Sequence, residues 1–98
     1  MTSKKVTYKQ NEEKFTWTQT EESLTISFPV KNVLLKNVDI LYTDSFVKVN
    51  VPSLKYVCII DFPHLIDYEN PKNRVLLHDE NLEVFLIKSE KTALWESV

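Results

Sequence analysis

One stretch of the sequence decides the fold, and it reads Ser23-Leu-Thr-Ile-Ser-Phe28. Large apolar side chains at Leu24, Ile26 and Phe28 alternate with small polar ones, which is typical of a strand with one buried face and one solvated face. A helix would instead place its apolar residues three and four positions apart. The segment therefore predicts a half-buried β-strand.

Similar runs lie on both sides of this segment, and together they make seven. The other six cover residues 15–19, 38–42, 47–51, 56–62, 74–78 and 82–88, and no window of about eleven residues keeps a helical period. Prolines at 29, 52, 63 and 71 fall at or beyond the ends of these runs, where a missing N–H does no harm. The pattern predicts an all-β protein, a seven-stranded antiparallel β-sandwich. The run at 56–62 is apolar on both faces, which predicts a central strand.

The length and charge of the chain restrict its architecture and its partners. With 98 residues and 11.5 kDa, the chain has room for one domain. Residues 1–13 are polar without a period, which predicts a flexible N-terminal arm before a domain at 14–98. The net charge of −2 argues against binding to nucleic acid or to anionic membranes. A single cysteine, Cys58, cannot form an internal disulfide, which favours an intracellular protein.

The sequence lacks the residues that most enzyme sites require. There is no glycine, so the glycine-rich loops that hold phosphate groups are excluded. Cys58, Asp61 and His64 are close in sequence, but residues 58 and 61 point to opposite faces of one apolar strand. His64 and His78 have no further His or Cys at ligand spacing. We therefore expect no catalytic residue, no metal and no cofactor.

The last strand carries the most informative surface pattern. If Leu82, Val84 and Leu86 face the core, then Phe85 and Ile87 lie outside among charged residues. Either the ends of the chain cover these two side chains, or a protein partner does. Lys88 points to the same side as Val84 and Leu86 but lies at the end of the strand, so its ammonium should reach solvent. We therefore expect Lys88→Glu to leave the fold intact.

The two tryptophans allow the same pair of interpretations. Trp17 and Trp95 could each belong to the core or to a lid over it, which is the commoner role of such a residue. They could equally anchor a partner, because tryptophan is enriched among the residues that dominate interfaces. Trp95 follows Lys88 by seven residues, which is long enough for it to return across the sheet and shield Phe85 or Ile87.

The order of the strands resembles that of a CS domain, the co-chaperone relative of the small heat-shock fold. The segments that carry the resemblance are Phe15-Thr-Trp17, Leu24-Thr-Ile-Ser-Phe-Pro-Val-Lys31, Val38-Asp-Ile-Leu-Tyr42, Phe46-Val-Lys-Val-Asn-Val-Pro52 and Leu82-Glu-Val-Phe-Leu-Ile-Lys88, followed by Trp95. Within the family, the chain is most similar to the N-terminal CS domain of dynein axonemal assembly factors. The resemblance covers nearly everything from Phe15 to the end and makes 14–98 the CS domain.

The resemblance implies a non-enzymatic protein-interaction module. Such domains dock on the ninety-kilodalton heat-shock chaperone during client folding or cytoplasmic dynein-arm preassembly, and the alternative is a scaffold that binds dynein subunits or assembly factors without chaperone contact. The family's chaperone-facing positions correspond here to Trp17, Lys88 and Trp95. With Phe85 and Ile87 they form the expected partner-binding set. The expected state is a monomer in the cytoplasm, with the nucleus and cilia as further locations.

Overall fold

The computed structural model describes residues 15–90 and 94–96, so the expected N-terminal arm lies outside the described residues. Over the described residues the chain forms an all-β sandwich, as predicted. Its strands are β1 (Thr16–Gln19), β2 (Ser23–Phe28), β3 (Asp39–Tyr42), β4 (Phe46–Val51), β5 (Tyr56–Asp61), β6 (Arg74–Leu77) and β7 (Leu82–Ile87). Short 3-10 turns occur at Leu35–Asn37 and Pro52–Leu54. No helix in the described ranges is long and apolar enough to cross a membrane.

The strands divide into two antiparallel sheets. The larger sheet has the order β1-β2-β7-β6 and the smaller has the order β3-β4-β5. The prediction that the fifth run is a central strand is wrong, because β5 lies at the edge of the smaller sheet. Its residues Tyr56, Cys58 and Ile60 are buried, while Val57 and Ile59 are half-buried on the other side. Apolar residues on both sides of β5 therefore indicate an apolar outer face rather than a central position.

The core lies between the sheets and follows from the alternation in each strand. The larger sheet contributes buried side chains that include Leu24, Ile26, Phe28, Leu82, Val84 and Leu86, and the smaller sheet contributes Val47, Val49, Val51, Tyr56, Cys58 and Ile60. Full burial of one large apolar side chain contributes about 1.5–3 kcal/mol. Cys58 is a free, buried thiol whose pKa is raised by burial, against a smaller opposing effect of its hydrogen bond with Tyr56. It fills the core, as the sequence indicates.

The segment at residues 62–73 crosses from the smaller sheet to the larger one and fixes one end of the sandwich. On the smaller sheet's side, the N–H of Phe62 donates to the carbonyl of Ser45 at 2.8 Å. On the larger sheet's side, Ile66 forms an isolated bridge with Lys88, and the N–H of Asp67 donates to the carbonyl of Ile87 at 2.8 Å. This crossing segment places Ile66 beside Lys88, just past the end of β7, and the rings of Phe62 and His64 against Trp95.

Candidate interaction site

Lys88 is fully buried at the end of β7. Its ammonium Nζ donates to Gln19 Oε1 and to the carbonyl oxygen of Thr20, both at 2.7 Å. The prediction that this ammonium reaches solvent is therefore wrong. Residues 82, 84, 86 and 88 share one facing, so the side chain points inward, and the two oxygens replace the water that a buried cation loses.

Gln19 connects this cation to the C-terminal segment. Its side-chain Nε2 donates to the carbonyl of Trp95, and its Oε1 accepts from the N–H of Trp95, both at 2.8 Å. One amide side chain therefore binds both main-chain groups of Trp95, as a neighbouring strand would. Because Oε1 also accepts from Lys88, Gln19 joins the end of β7, the end of β1 and the residues near the C-terminus.

The indole of Trp95 lies in the core rather than over the outer face of β7. It is buried, with ring centroids 5.6 Å from Phe62 and 5.7 Å from His64. Lys88 Nζ is 5.4 Å from the indole centroid, within the range of a cation–π interaction. The sequence allows Trp95 to be either a core or lid residue or an anchor for a partner, and in the structure it occupies a core position. Its shielding of Phe85 is not observed, because Phe85 points to the opposite side of β7.

The environment of Lys88 disfavours its charged form. Burial lowers the pKa of Lys88 below its ordinary value, and the Glu21 carboxylate acts in the opposite direction. The cation is stabilised by oxygens with partial charge and by the indole face rather than by bulk water. We call Lys88, Gln19, Thr20 and Trp95 the lysine cluster.

Phe85 lies on the outer face of the larger sheet and is half-buried. The guanidinium carbon of Arg74, from the neighbouring β6, is 4.4 Å from the ring centroid. On the other side Phe85 pairs with Thr25 of β2. His78 Nε2 and Glu83 Oε1 are 2.7 Å apart on the same face. Phe85 is thus an accessible apolar side chain with charged and hydroxyl neighbours, the usual surroundings of a contact residue.

Ile87 and Trp17 have different positions from Phe85. Ile87 shares the outward facing but is only 7% exposed. Its N–H donates to Asn73 Oδ1 and its carbonyl accepts from Asp67, both at 2.8 Å, so the crossing segment lies against it. Trp17 pairs with Ile26 on the inner side of β1 and is half-buried against the core. Of the five predicted residues, the structure brings Lys88 and Trp95 into contact and places Phe85 on a separate surface.

Sequence reasoning missed the outer face of the smaller sheet. This face, which we call the Lys48 face, is formed by the outward residues Asp39, Leu41, Phe46, Lys48, Asn50, Val57, Ile59 and Asp61. The signal for this face is the apolar residues on both sides of β5, a pattern that fits a central strand equally well.

Comparison with known proteins agrees with this fold. The CS domain family model matches residues 13–88, and the chain belongs to the CS domain family. It is similar to dynein axonemal assembly factor 4 of Pongo pygmaeus, with 27% identity over 84 residues, and to that of Rattus norvegicus, with 25%. Each match covers 86% of this chain and 19% of the relative, so the chain spans about a fifth of those proteins.

Two solved structures share the sandwich. The nuclear movement protein from E. cuniculi GB-M1 has a TM-score of 0.69 at 19% identity, covering 86% of this chain and 95% of the other. Heat shock protein 16.0 from Schizosaccharomyces pombe has a TM-score of 0.70 at 13% identity, covering 91% and 97%. The CS-domain resemblance and the small heat-shock fold predicted from the sequence are confirmed.

Proposed function

We propose that this chain is a non-catalytic adaptor that docks on the ninety-kilodalton heat-shock chaperone. Its membership of the CS domain family over residues 13–88 is the observation that supports the proposal. The relatives carry the name of a dynein axonemal assembly factor, which supports dynein-arm preassembly in the cytoplasm as the process served. In this proposal the chain acts as a monomer and needs no cofactor.

The proposed contact surface is the outer face of the larger sheet around Phe85. Phe85 and Arg74 supply an apolar ring and a cation that a partner could cover together. Ile87 lies at the margin of this surface. Trp17, Lys88 and Trp95 act from the inner side, where they position the strands that carry it. Lys88 and Trp95 are therefore proposed as positioning residues.

Calorimetric titration with the purified chaperone tests this proposal. The titration is run without nucleotide and with a non-hydrolysable ATP analogue. We expect saturable binding in at least one state, and we expect Phe85→Ala to weaken it about tenfold. Phe46→Ala, on the outer face of the smaller sheet, is the matched control and should bind like the wild type. Absence of binding in both nucleotide states overturns the proposal, and equal affinities of the two variants overturn the assigned surface.

A scaffold function is the second candidate, and the name of the relatives supports it as well. Here the domain binds dynein subunits or assembly factors directly and never touches the chaperone. Affinity purification of the tagged chain from ciliated cells, followed by mass spectrometry, separates the two functions. Recovery of the chaperone supports the adaptor, whereas recovery of dynein chains without chaperone supports the scaffold.

A further inference from the structure

The outer face of the smaller sheet differs in chemistry from the β1–β2 half of the larger sheet's outer face. Between β1 and β2, the larger sheet presents the hydroxyl side chains Thr16, Thr18, Thr25 and Ser27. The smaller sheet instead presents Leu41, Phe46, Val57 and Ile59. Leu41 is 54% exposed. A sheet face that is exposed only to solvent is ordinarily polar. The apolar residues of the Lys48 face therefore indicate a surface that a partner covers.

Strand register defines the arrangement of this face. Lys48 is at the centre, with Leu41 beside it on β3 and Ile59 beside it on β5. A shallow groove between β3 and β4 is lined by Asp39, Ile40, Leu41, Lys48 and Asn50. The face therefore combines an apolar row across three strands with a cation in the middle of that row.

Lys48 is an exposed cation that forms no ion pair or hydrogen bond with any residue that the structure describes. Asp39 and Asp61 lie at opposite corners of the face, diagonally from Lys48. Such diagonal neighbours are about 7–8 Å apart, and neither aspartate forms an ion pair with Lys48 in the part of the chain that the structure describes. A single carboxylate of a partner is therefore attracted to Lys48 at the centre of the face. A run of acidic residues is disfavoured, because Asp39 and Asp61 at the corners would repel it.

This charge arrangement also argues against a second copy as the occupant. In a symmetric pair the same patch faces itself. A two-fold axis through the centre of the face would then place Lys48 of one copy against Lys48 of the other, and like charges in contact oppose association.

We propose that the Lys48 face binds an extended segment of a partner protein, with one Glu or Asp between two aliphatic residues. In an extended chain, residues two positions apart share a side, so an acid at one position and aliphatics two residues before and after it match the apolar row. The carboxylate pairs with Lys48, and the aliphatic side chains cover Leu41 and Ile59. This surface is distinct from the Phe85 surface proposed for the chaperone.

An NMR titration of the ¹⁵N-labelled chain tests this inference with a defined probe. The probe is the acetylated, amidated peptide Ser-Leu-Thr-Glu-Thr-Ile-Ser, and its twin carries Lys in place of Glu. We expect the Glu peptide to shift the amides of Leu41, Lys48 and Ile59. Lys48→Glu should weaken its binding about fivefold and strengthen that of the Lys twin. Lys36→Glu, an equal charge change on the exposed 3-10 turn, is the matched control and should bind like the wild type.

Three results would overturn the inference. These are absence of saturable shifts on the Lys48 face, equal affinities of Lys48→Glu and Lys36→Glu for both peptides, and sedimentation showing that the free chain dimerises through this face. The assay contains no chaperone, so its failure is separate from failure of the proposed adaptor function.

Discussion

Two lysines, one in each sheet of the sandwich, have opposite environments. Lys88, at the end of β7, is fully buried, and its ammonium lies 2.7 Å from each of two oxygens. Lys48, in the middle of β4, is exposed and has no bonded partner among the described residues. In both cases the side chain points to the side that the alternation of inward and outward residues along its strand predicts. The direction in which the strand points the side chain, more than the residue type, decides whether a lysine is buried within the fold or is available to a partner.

Charge reversal at the two positions should give the largest difference. We expect Lys88→Glu to lower the free energy of unfolding by about 3–5 kcal/mol, because it places an unpaired carboxylate beside two acceptor oxygens. Lys48→Glu should change it by no more than about 0.5 kcal/mol. Urea denaturation followed by circular dichroism measures both. Equal stabilities would contradict the comparison and restore the sequence-based expectation that Lys88→Glu leaves the fold intact.

The C-terminal tryptophan provides the next largest effect. Trp95→Ala should cost about 3 kcal/mol of stability, since it empties a buried site beside Phe62 and removes the indole face from Lys88. Leu94→Ala is the matched control, because Leu94 is 60% exposed and should contribute within about 0.5 kcal/mol. Thermal unfolding of both variants checks this. If both variants have the same melting temperature as the wild type, Trp95 does not close the core.

The amide of Gln19 should have a smaller effect that is coupled to Lys88. Gln19→Leu keeps most of the side-chain volume but removes three hydrogen bonds of the lysine cluster, with an expected cost of about 1–3 kcal/mol. In a double-mutant cycle with Lys88→Met, the costs should be less than additive, because both changes remove the same bond. Simple additivity would mean that the two side chains do not interact. Thr18→Ala, on the exposed side of β1, is the control.

The smallest effect should be a pH dependence of stability. Burial lowers the pKa of Lys88 below its ordinary 10.5, so the unfolded chain holds this proton to higher pH than the folded chain does. Below the lowered pKa both states are protonated, and the unfavourable contribution of burying the charge is constant. As the pH rises from the lowered pKa toward 10.5, the wild type should gain stability relative to Lys88→Met. Urea titrations of both proteins at neutral and alkaline pH measure the difference, and a constant difference would contradict the lowered pKa.

The sequence predicts the sandwich because strand alternation is a local property. The pattern at residues 23–28 and in β7 indicates which side chains face the core, and both assignments are confirmed. Strand order is not local, which is why the apolar residues of β5 suggested a central strand when β5 is an edge. The same limit affects Lys88. Its inward facing follows from alternation, but the oxygens of Gln19 and Thr20, about seventy residues away, cannot be found by local patterns.

The crossing segment shows the same limit at Ile87. Alternation places this residue outward, and the sequence offered the chain ends or a partner as its cover. Asp67 and Asn73 bind its main chain instead. Long-range contacts made by a loop leave no periodic signal, so the candidate site required the structure.

Lysine footprinting tests the central comparison most directly. The native protein is treated with an acetylating reagent for increasing times, and modification of each lysine is measured by mass spectrometry. We predict that Lys48 reacts as fast as a lysine in a short peptide, whereas Lys88 stays protected until urea unfolds the chain, because its amine is buried and hydrogen-bonded. Native-state labelling of Lys88 at the rate of Lys48 would contradict the account.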